Sequence, residues 1–230
     1  MRKQLVMISA LILGVALTAL ASDRDDDVKR INAATKAFQE IMNTPDKGIP
    51  IELLETAKCI AIIPGEKKIA LGIGGNYGKG LATCHTAQGW SAPLFLAVGG
   101  GSVGFQIGGS STDIVMLFMN DQALQSLMSD KFRIGADASA AAGPVGRHAA
   151  AGTDIKLNAQ ILTYARSKGV FAGISLDGAV VQADQSGDHA MYGANVNRRE
   201  ILDGKVPVPA SARPLLRNIT KYAREAKRQG

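Results

Sequence analysis

Hydrophobic positions near the start of the chain recur at helical spacing. Val28, Ile31, Thr35, Phe38, Ile41 and Met42 fall three or four apart and make one mostly apolar stripe. Asp25-Asp26-Asp27 comes just before, and acid at a helix N-terminus suits the helix dipole. Thr44-Pro45 ends this helix, and Pro50 suits the first turn of a second, short one reaching Ala57. From Cys59 the period changes. Short apolar runs alternate with glycine turns over residues 59–63, 69–73, 80–84, 94–98, 103–107 and 114–119. That spacing, about ten residues, is the pattern of an antiparallel sheet or partial barrel. The run from Ile114 to Met119 is apolar on both faces and predicts a strand buried on both sides. Asn120 is placed to cap a helix carrying Ala123, Leu124, Leu127 and Met128. Further strand-like runs cover 132–138, 161–166, 169–176 and 179–183, and residues 197–202 read as a short helix ended by Gly204.

The last helix is predicted over 211–228. Leu215, Leu216, Ile219, Tyr222, Ala223 and Ala226 form one face, with Arg213, Arg217, Lys221, Arg224 and Arg228 in a stripe opposite. Such a basic amphipathic helix either lies on an anionic membrane or docks on the core with its charges in water. The two roles are compatible, because a docked helix still presents its basic stripe. The fold expected is α+β: a twisted antiparallel sheet or partial barrel with N-terminal helices and a C-terminal amphipathic helix.

The first residues read as a secretory signal peptide. Arg2 and Lys3 precede an apolar run from Leu5 to Leu20, and Ala19-Leu20-Ala21 gives a small-residue cleavage pattern before Ser22. A membrane anchor is the alternative, but the run is short for a span and small residues crowd its end. No cysteine stands at the cleavage point, so a lipoprotein anchor is not expected. Residues 1–21 are therefore expected to be removed, leaving 22–230 as one domain outside the cytoplasm, in a bacterial periplasm, either free or associated with the membrane. Losing Arg2 and Lys3 lowers the formal charge from +6 to about +4, a mild bias toward anionic surfaces. The two cysteines, Cys59 and Cys84, would then meet an oxidising compartment. An even count there favours a disulfide between neighbouring strands over two buried thiols.

Motifs for chemistry are thin. Gly99-Gly100-Gly101-Ser102-Val103-Gly104 has the letters of a dinucleotide fingerprint, but more strand follows it where a helix is needed. Ser175 has Gly173 before it and Asp177 after it, which leaves the nucleophile-elbow pattern incomplete. His85, His148 and His189 are scattered and read as surface or loop residues. No C-x-x-C or H-x-x-x-H spacing suggests zinc. No enzyme activity, cofactor or metal is expected. Nucleic acid is not expected either, because aromatic residues are few and not interleaved with basic ones.

Four segments carry a family resemblance. The longest is Ser167-Lys168-Gly169-Val170-Phe171-Ala172-Gly173-Ile174-Ser175-Leu176-Asp177-Gly178, read as a strand and then a turn. Val170, Ala172, Ile174 and Leu176 would face one way, with Phe171, Gly173, Ser175 and Asp177 opposite. Its glycines, Gly169, Gly173 and Gly178, suggest close backbone approach. The others are Trp90-Ser91-Ala92-Pro93-Leu94-Phe95, Gln106-Ile107-Gly108-Gly109 and Gly143-Pro144-Val145-Gly146-Arg147. In this order they resemble the SYLF domain, a lipid-binding family also described in yeast as an actin-binding module. From a start near Asp46, the resemblance covers nearly all of the chain after the leader.

The resemblance implies a non-enzymatic lipid-binding module. In the family, membrane binding is associated with an amphipathic N-terminal segment and basic residues, and ligands include phosphoinositides. Here the matching segments are the helix from Val28 to Met42 and the basic pair Lys67-Lys68. Eukaryotic members carry SH3 or FYVE modules, which these 230 residues do not contain. An exported chain would not meet actin, so that partner is not expected. An anionic phospholipid or membrane surface is the expected partner, and a protein-interaction module of the envelope is the alternative. The candidate lipid contacts are Lys67, Lys68, Lys79, Arg166, Lys168, Arg217, Lys221 and Arg224. Lys67-Lys68 and Lys79 are expected on successive turns, and Arg166 and Lys168 flank the start of the longest signature segment.

Overall fold

The computed structural model describes residues 23–44, 48–71, 73–103, 108–145, 159–167 and 170–229, with side chains described outside 68–75, 101–110 and 226–229. The expected leader, Lys168, His148 and the pair Gly146-Arg147 lie outside the described residues.

Helix α1 covers 23–42, and α2 covers Ile51–Thr56 behind Pro50. The chain then enters the two longest strands, β1 (Cys59–Leu71) and β2 (Ile73–Thr86). The short β3 (Gly89–Trp90) turns back onto β2. Next come β4 (Leu94–Val103) and β5 (Gly108–Phe118). After α3 (Asp121–Met128) lie the short strands β6 (Lys131–Arg133) and β7 (Ala140–Ala142). Then follow β8 (Ile161–Ser167), β9 (Val170–Gly173) and β10 (Val180–Ala183). Helices α4 (Gln185–Tyr192), α5 (Arg198–Leu202) and α6 (Arg213–Gln229) complete the chain.

The strands form one curled, half-barrel sheet in the order β6-β10-β4-β2-β1-β5-β8-β7, with β3 on β2 and β9 on β8. This is the α+β architecture that the pattern predicts. Pairing is antiparallel except between β7 and β8, which run parallel.

Both faces of the central strands are covered, which explains their continuous apolar runs. Ile60, Ile62, Leu81, Val115 and Leu117 pack in the layer that holds Ile31, Phe38 and Ile41 of α1, Leu54 of α2 and Leu215 and Ile219 of α6. Cys59, Ala61, Ile63, Leu96, Met116 and Phe118 point the other way, into a second layer with Leu127 of α3 and Ile201 and Leu202 of α5. Asn120 caps α3 as expected, its side chain accepting from the Ala123 amide at 2.9 Å. Cys59 and Cys84 are register partners on β1 and β2 and form a disulfide.

Several boundaries differ from the expectations. The runs at 59–63, 69–73 and 80–84 make two long strands and not three short ones. Lys67 and Lys68 therefore lie inside β1, and Lys79 lies inside β2 opposite Ala97; none is on a turn. The reason is that glycines read as turn signals sit within strands. At Gly78 a Cβ would meet the Ile63 side chain, and at Gly80 the β1 backbone. These glycines allow close packing along the bulged β1–β2 pair. Gly99, Gly100 and Gly101 likewise belong to β4. Beyond β6, residues 135–137 form a turn closed by an Ile134–Ala138 bridge, so the run 132–138 is not one strand. In the longest signature segment the strand stops at Gly173. Within it the alternation holds: Phe171 is buried and Val170 is 70% exposed. Helix α4 and strand β7 had no clear sequence signal.

Candidate functional site

Helix α6 starts after a single 3-10 turn, Ala210–Ala212, and Pro214 sits in its first turn, where a missing N–H costs nothing. Leu215, Leu216 and Ile219 bury its inner face. Tyr222 continues that face. Its ring meets Phe38 edge-on at 6.1 Å, and its hydroxyl donates to the Asn43 Oδ1 at 2.9 Å. The helix is thus fixed against α1 from the apolar side. Its outer face is left to water.

On that outer face lies a groove of about 740 Å³. Val208 and Leu216 are its apolar members, and Arg213, Arg217, Lys221 and Arg224 supply positive charge, with Thr220 and Glu225 beside them. All four cations are exposed. They recur at four, four and three residues, so each stands about one turn above the last. Of the two apolar members, Val208 is half-buried and Leu216 belongs to the buried inner face, so the groove offers one apolar contact, Val208, beside cations that suit an anionic head. Arg213 was part of the predicted stripe but not of the candidate set. Val208 was missed, since its only signal is its place between Pro207 and Pro209.

The other predicted cations are placed differently. Lys79 donates to the Asp184 Oδ2 at 2.9 Å. Asp184 also accepts from Arg30 of α1 at 2.9 Å and from the Ser186 hydroxyl at 2.6 Å. Arg30 reaches Asp27 at 3.0 Å, and its guanidinium lies 5.1 Å from the Phe95 ring centroid. Burial works against the charge on Asp184, but the bonds from Ser186 and Lys79 and the Arg30 charge outweigh it and hold the carboxyl down at about 2. Asp27 goes the other way: burial outweighs Arg30 and raises it to about 6. Asp188 accepts from the Phe95 amide at 2.8 Å, yet burial pushes it up to about 7.

Arg166 bridges Glu40 of α1 and Asp113 of β5, the latter at 2.8 Å. Arg166 therefore ties α1 to the sheet, and Lys79 of β2 shares Asp184 with Arg30 of α1. Lys67 is exposed in β1, and the Lys68 backbone pairs with Asn76 and Ser110. Of the candidate set, Arg217, Lys221 and Arg224 come together in one groove. Ser175 donates to Asp177 at 2.7 Å, and its partner is that carboxylate and not a histidine. Among the described residues, no group of three or more His, Cys, Asp or Glu is arranged to hold a metal. No helix among them is long and apolar enough to cross a membrane.

A protein-family profile described as "Ysc84: Las17-binding protein actin regulator" matches residues 99–222, from the glycines of β4 to Tyr222 of α6. The chain belongs to the Ysc84 family. This bears out the SYLF resemblance carried by the four sequence segments. Among Ysc84 relatives, the rat SH3 domain-containing YSC84-like protein 1 is 28% identical over 215 residues, 92% of this chain and 63% of that protein. Protein YSC84 of Saccharomyces cerevisiae is 34% identical over 182 residues, 77% of this chain and 39% of that protein. LAS seventeen-binding protein 3 of the same yeast is 32% identical over 182 residues, again 77% and 39%. The chain thus spans 63% of the rat Ysc84 relative's length and 39% of the yeast ones.

Proposed function

We propose that this Ysc84-family chain is a non-enzymatic binding domain for anionic phospholipid, held at the outer face of α6. The observation that carries the reading is the groove in which Arg213, Arg217, Lys221 and Arg224 border Val208 and Leu216. Each cation near an anionic leaflet contributes ~1 kcal/mol, so three or four give reversible, salt-sensitive binding. The Cys59–Cys84 disulfide suits an oxidising compartment, which supports export to a periplasm as part of the same reading.

Co-sedimentation with vesicles tests it. Wild-type protein is expected to bind vesicles containing phosphatidylglycerol, to release them as salt rises and to leave pure phosphatidylcholine unbound. Reversing Arg217, Lys221 and Arg224 to Glu removes ~3 kcal/mol or more, on the order of a hundredfold in affinity. Equal, negligible binding to both vesicle types refutes the reading. Native mass spectrometry of the purified protein would identify a lipid carried along.

A second reading is a protein-interaction module of the cell envelope, favoured by the family's description as Las17-binding. Recovery of one stoichiometric protein partner, with no lipid extracted, would select it.

A further inference from the structure

Three elements meet at the side chain of Phe95 in β4. The backbone of α4 comes so close that a Cβ on Gly187 would stand 3.0 Å from the Phe95 Cβ and 3.2 Å from the Asp27 Oδ1 of α1. Also from α1, the Arg30 guanidinium lies 5.1 Å from the Phe95 ring centroid. Phe95 is fully buried, and its amide donates to Asp188 of α4. The start of α1, the first turn of α4 and β4 are thus joined around one aromatic side chain.

Charge at this junction does not balance. Asp27 and Asp188 are each 2% exposed, and the Oδ2 of each accepts no hydrogen bond among the described residues. Arg30 divides its guanidinium between Asp27 and Asp184, and Lys79 of β2 is bonded to Asp184. Arg198 of α5 attracts Asp188 only from a distance. Its Nη2 donates to the Leu127 carbonyl at 2.7 Å. The other titratable groups facing the two carboxyls are Asp23 of α1, Asp184 and Tyr192 of α4, and none adds positive charge. Two buried carboxylates that share so little positive charge are costly, and a proton on each relieves the cost. Burial accordingly pushes Asp188 up to about 7 and Asp27 to about 6.

The far half of α1 is secured separately. Glu40 pairs with Arg166, and Phe38 and Asn43 meet Tyr222. The end at residues 23–30 lies at the junction, and helix ends open more cheaply than packed strands.

We propose that residues 23–30 of α1 form a proton-gated latch: they lie shut on Phe95 and α4 while Asp27 and Asp188 are protonated, and lift to admit water when these carboxyls ionise, with the sheet still folded. Lifting uncovers the Phe95 ring. Lys79 keeps Asp184, and Arg30 enters water. Because both folded values stand above the ordinary 3.8, the shut state is favoured in acid. It loses that advantage as pH rises through 6 and 7 and changes little beyond. The latch is independent of the α6 groove, since α6 meets the other half of α1.

The test is amide hydrogen exchange of the purified protein, read by mass spectrometry from about pH 5 to about pH 8.5 and corrected for the intrinsic exchange rate. Protection at residues 27–31 is expected to fall at least about tenfold as pH rises to about 7 and then to level off. The amides of β1, β2 and β5 are expected to stay protected throughout. In the Asp27→Asn/Asp188→Asn double variant, which keeps the side-chain oxygens and cannot ionise, the response of α1 is expected to vanish. Wild-type protection in α1 that ignores pH, or that is lost together with the strands, overturns the latch. So does a double variant that responds as wild type does. If the double variant does not fold, Asp188→Asn alone decides: a smaller response than wild type supports the latch, and an equal one overturns it.

Discussion

Gly173 of β9 lies against the backbone of Gly143, so that a Cβ on Gly173 would overlap the Gly143 carbonyl oxygen. Gly143 in turn leaves no room for a Cβ beside the Tyr164 ring, which stacks on Phe171 at 5.6 Å. Two of the segments that carry the family resemblance therefore meet in space, and they meet through hydrogen atoms. Gly173→Ala is expected to destabilise by about 1–3 kcal/mol through overpacking. Urea unfolding checks this. Gly178→Ala is the comparison: there a Cβ has open space, and the cost comes only from a φ of +84°.

Asp184 gathers Arg30, Lys79 and Ser186, and so fastens α1 to the strand-and-helix layer that follows β10. Asp184→Asn takes one of two carboxylates from Arg30, only 10% exposed, leaving it Asp27 at 3.0 Å. Stripping a buried charge of every partner costs about 3 kcal/mol or more, so the retained Asp27 contact brings the loss below that, to about 1–3 kcal/mol. The midpoint of urea unfolding should fall accordingly, with hydrogen exchange speeding up in α1 before the central strands.

The buried acids set the pH dependence. Asp188 and Asp27 have folded values raised to about 7 and about 6 from an ordinary 3.8. Between that ordinary value and the raised one, the folded chain binds protons that the unfolded chain has lost. Stability from these two groups is thus full below pH ~4 and declines as pH rises through 6 and 7. Asp184, held down at about 2, acts oppositely: its contribution is present above the ordinary value and is lost as pH falls toward 2. Thermal melting should therefore peak at about pH 4–5 and fall on both sides. Asp188→Asn, which keeps an oxygen for the Phe95 amide, should flatten the alkaline side. A melting temperature that climbs steadily from pH 5 to pH 8 would contradict the account.

Reduction of the Cys59–Cys84 bond frees a link of sequence separation 25. The chain-entropy model gives about 3 kcal/mol for it. The oxidised protein should run faster on a non-reducing gel and unfold at higher urea than its Cys59→Ala/Cys84→Ala variant, with the same sheet content by circular dichroism.

The periodic elements were legible. The stripe from Val28 to Met42, the cap at Asn120 and the two-sided run from Ile114 to Phe118 each follow one local rule. The pairing of Cys59 with Cys84 followed from an even cysteine count in a chain expected to be exported. Strand length was not legible, because Gly78 and Gly80 carry the letters of a turn while serving close packing between β1 and β2. Single cations were harder still. Arg217, Lys221 and Arg224 are set by one helical period and stay together wherever the helix goes. The partners of Lys79 and Arg166 are Asp184, Glu40 and Asp113, up to 126 residues away from Arg166 along the chain. No local pattern announces a partner at that distance.

The disulfide sits at the base of a single hairpin, between the two strands that occupy the middle of the sheet. Its closure requires nothing from the sequence after Cys84. A nascent chain can be cross-linked while its C-terminal half is still unmade, and the joined hairpin then offers one free edge to β4 and the other to β5. Sheet growth outward from an already covalent centre is the assembly order that this topology favours.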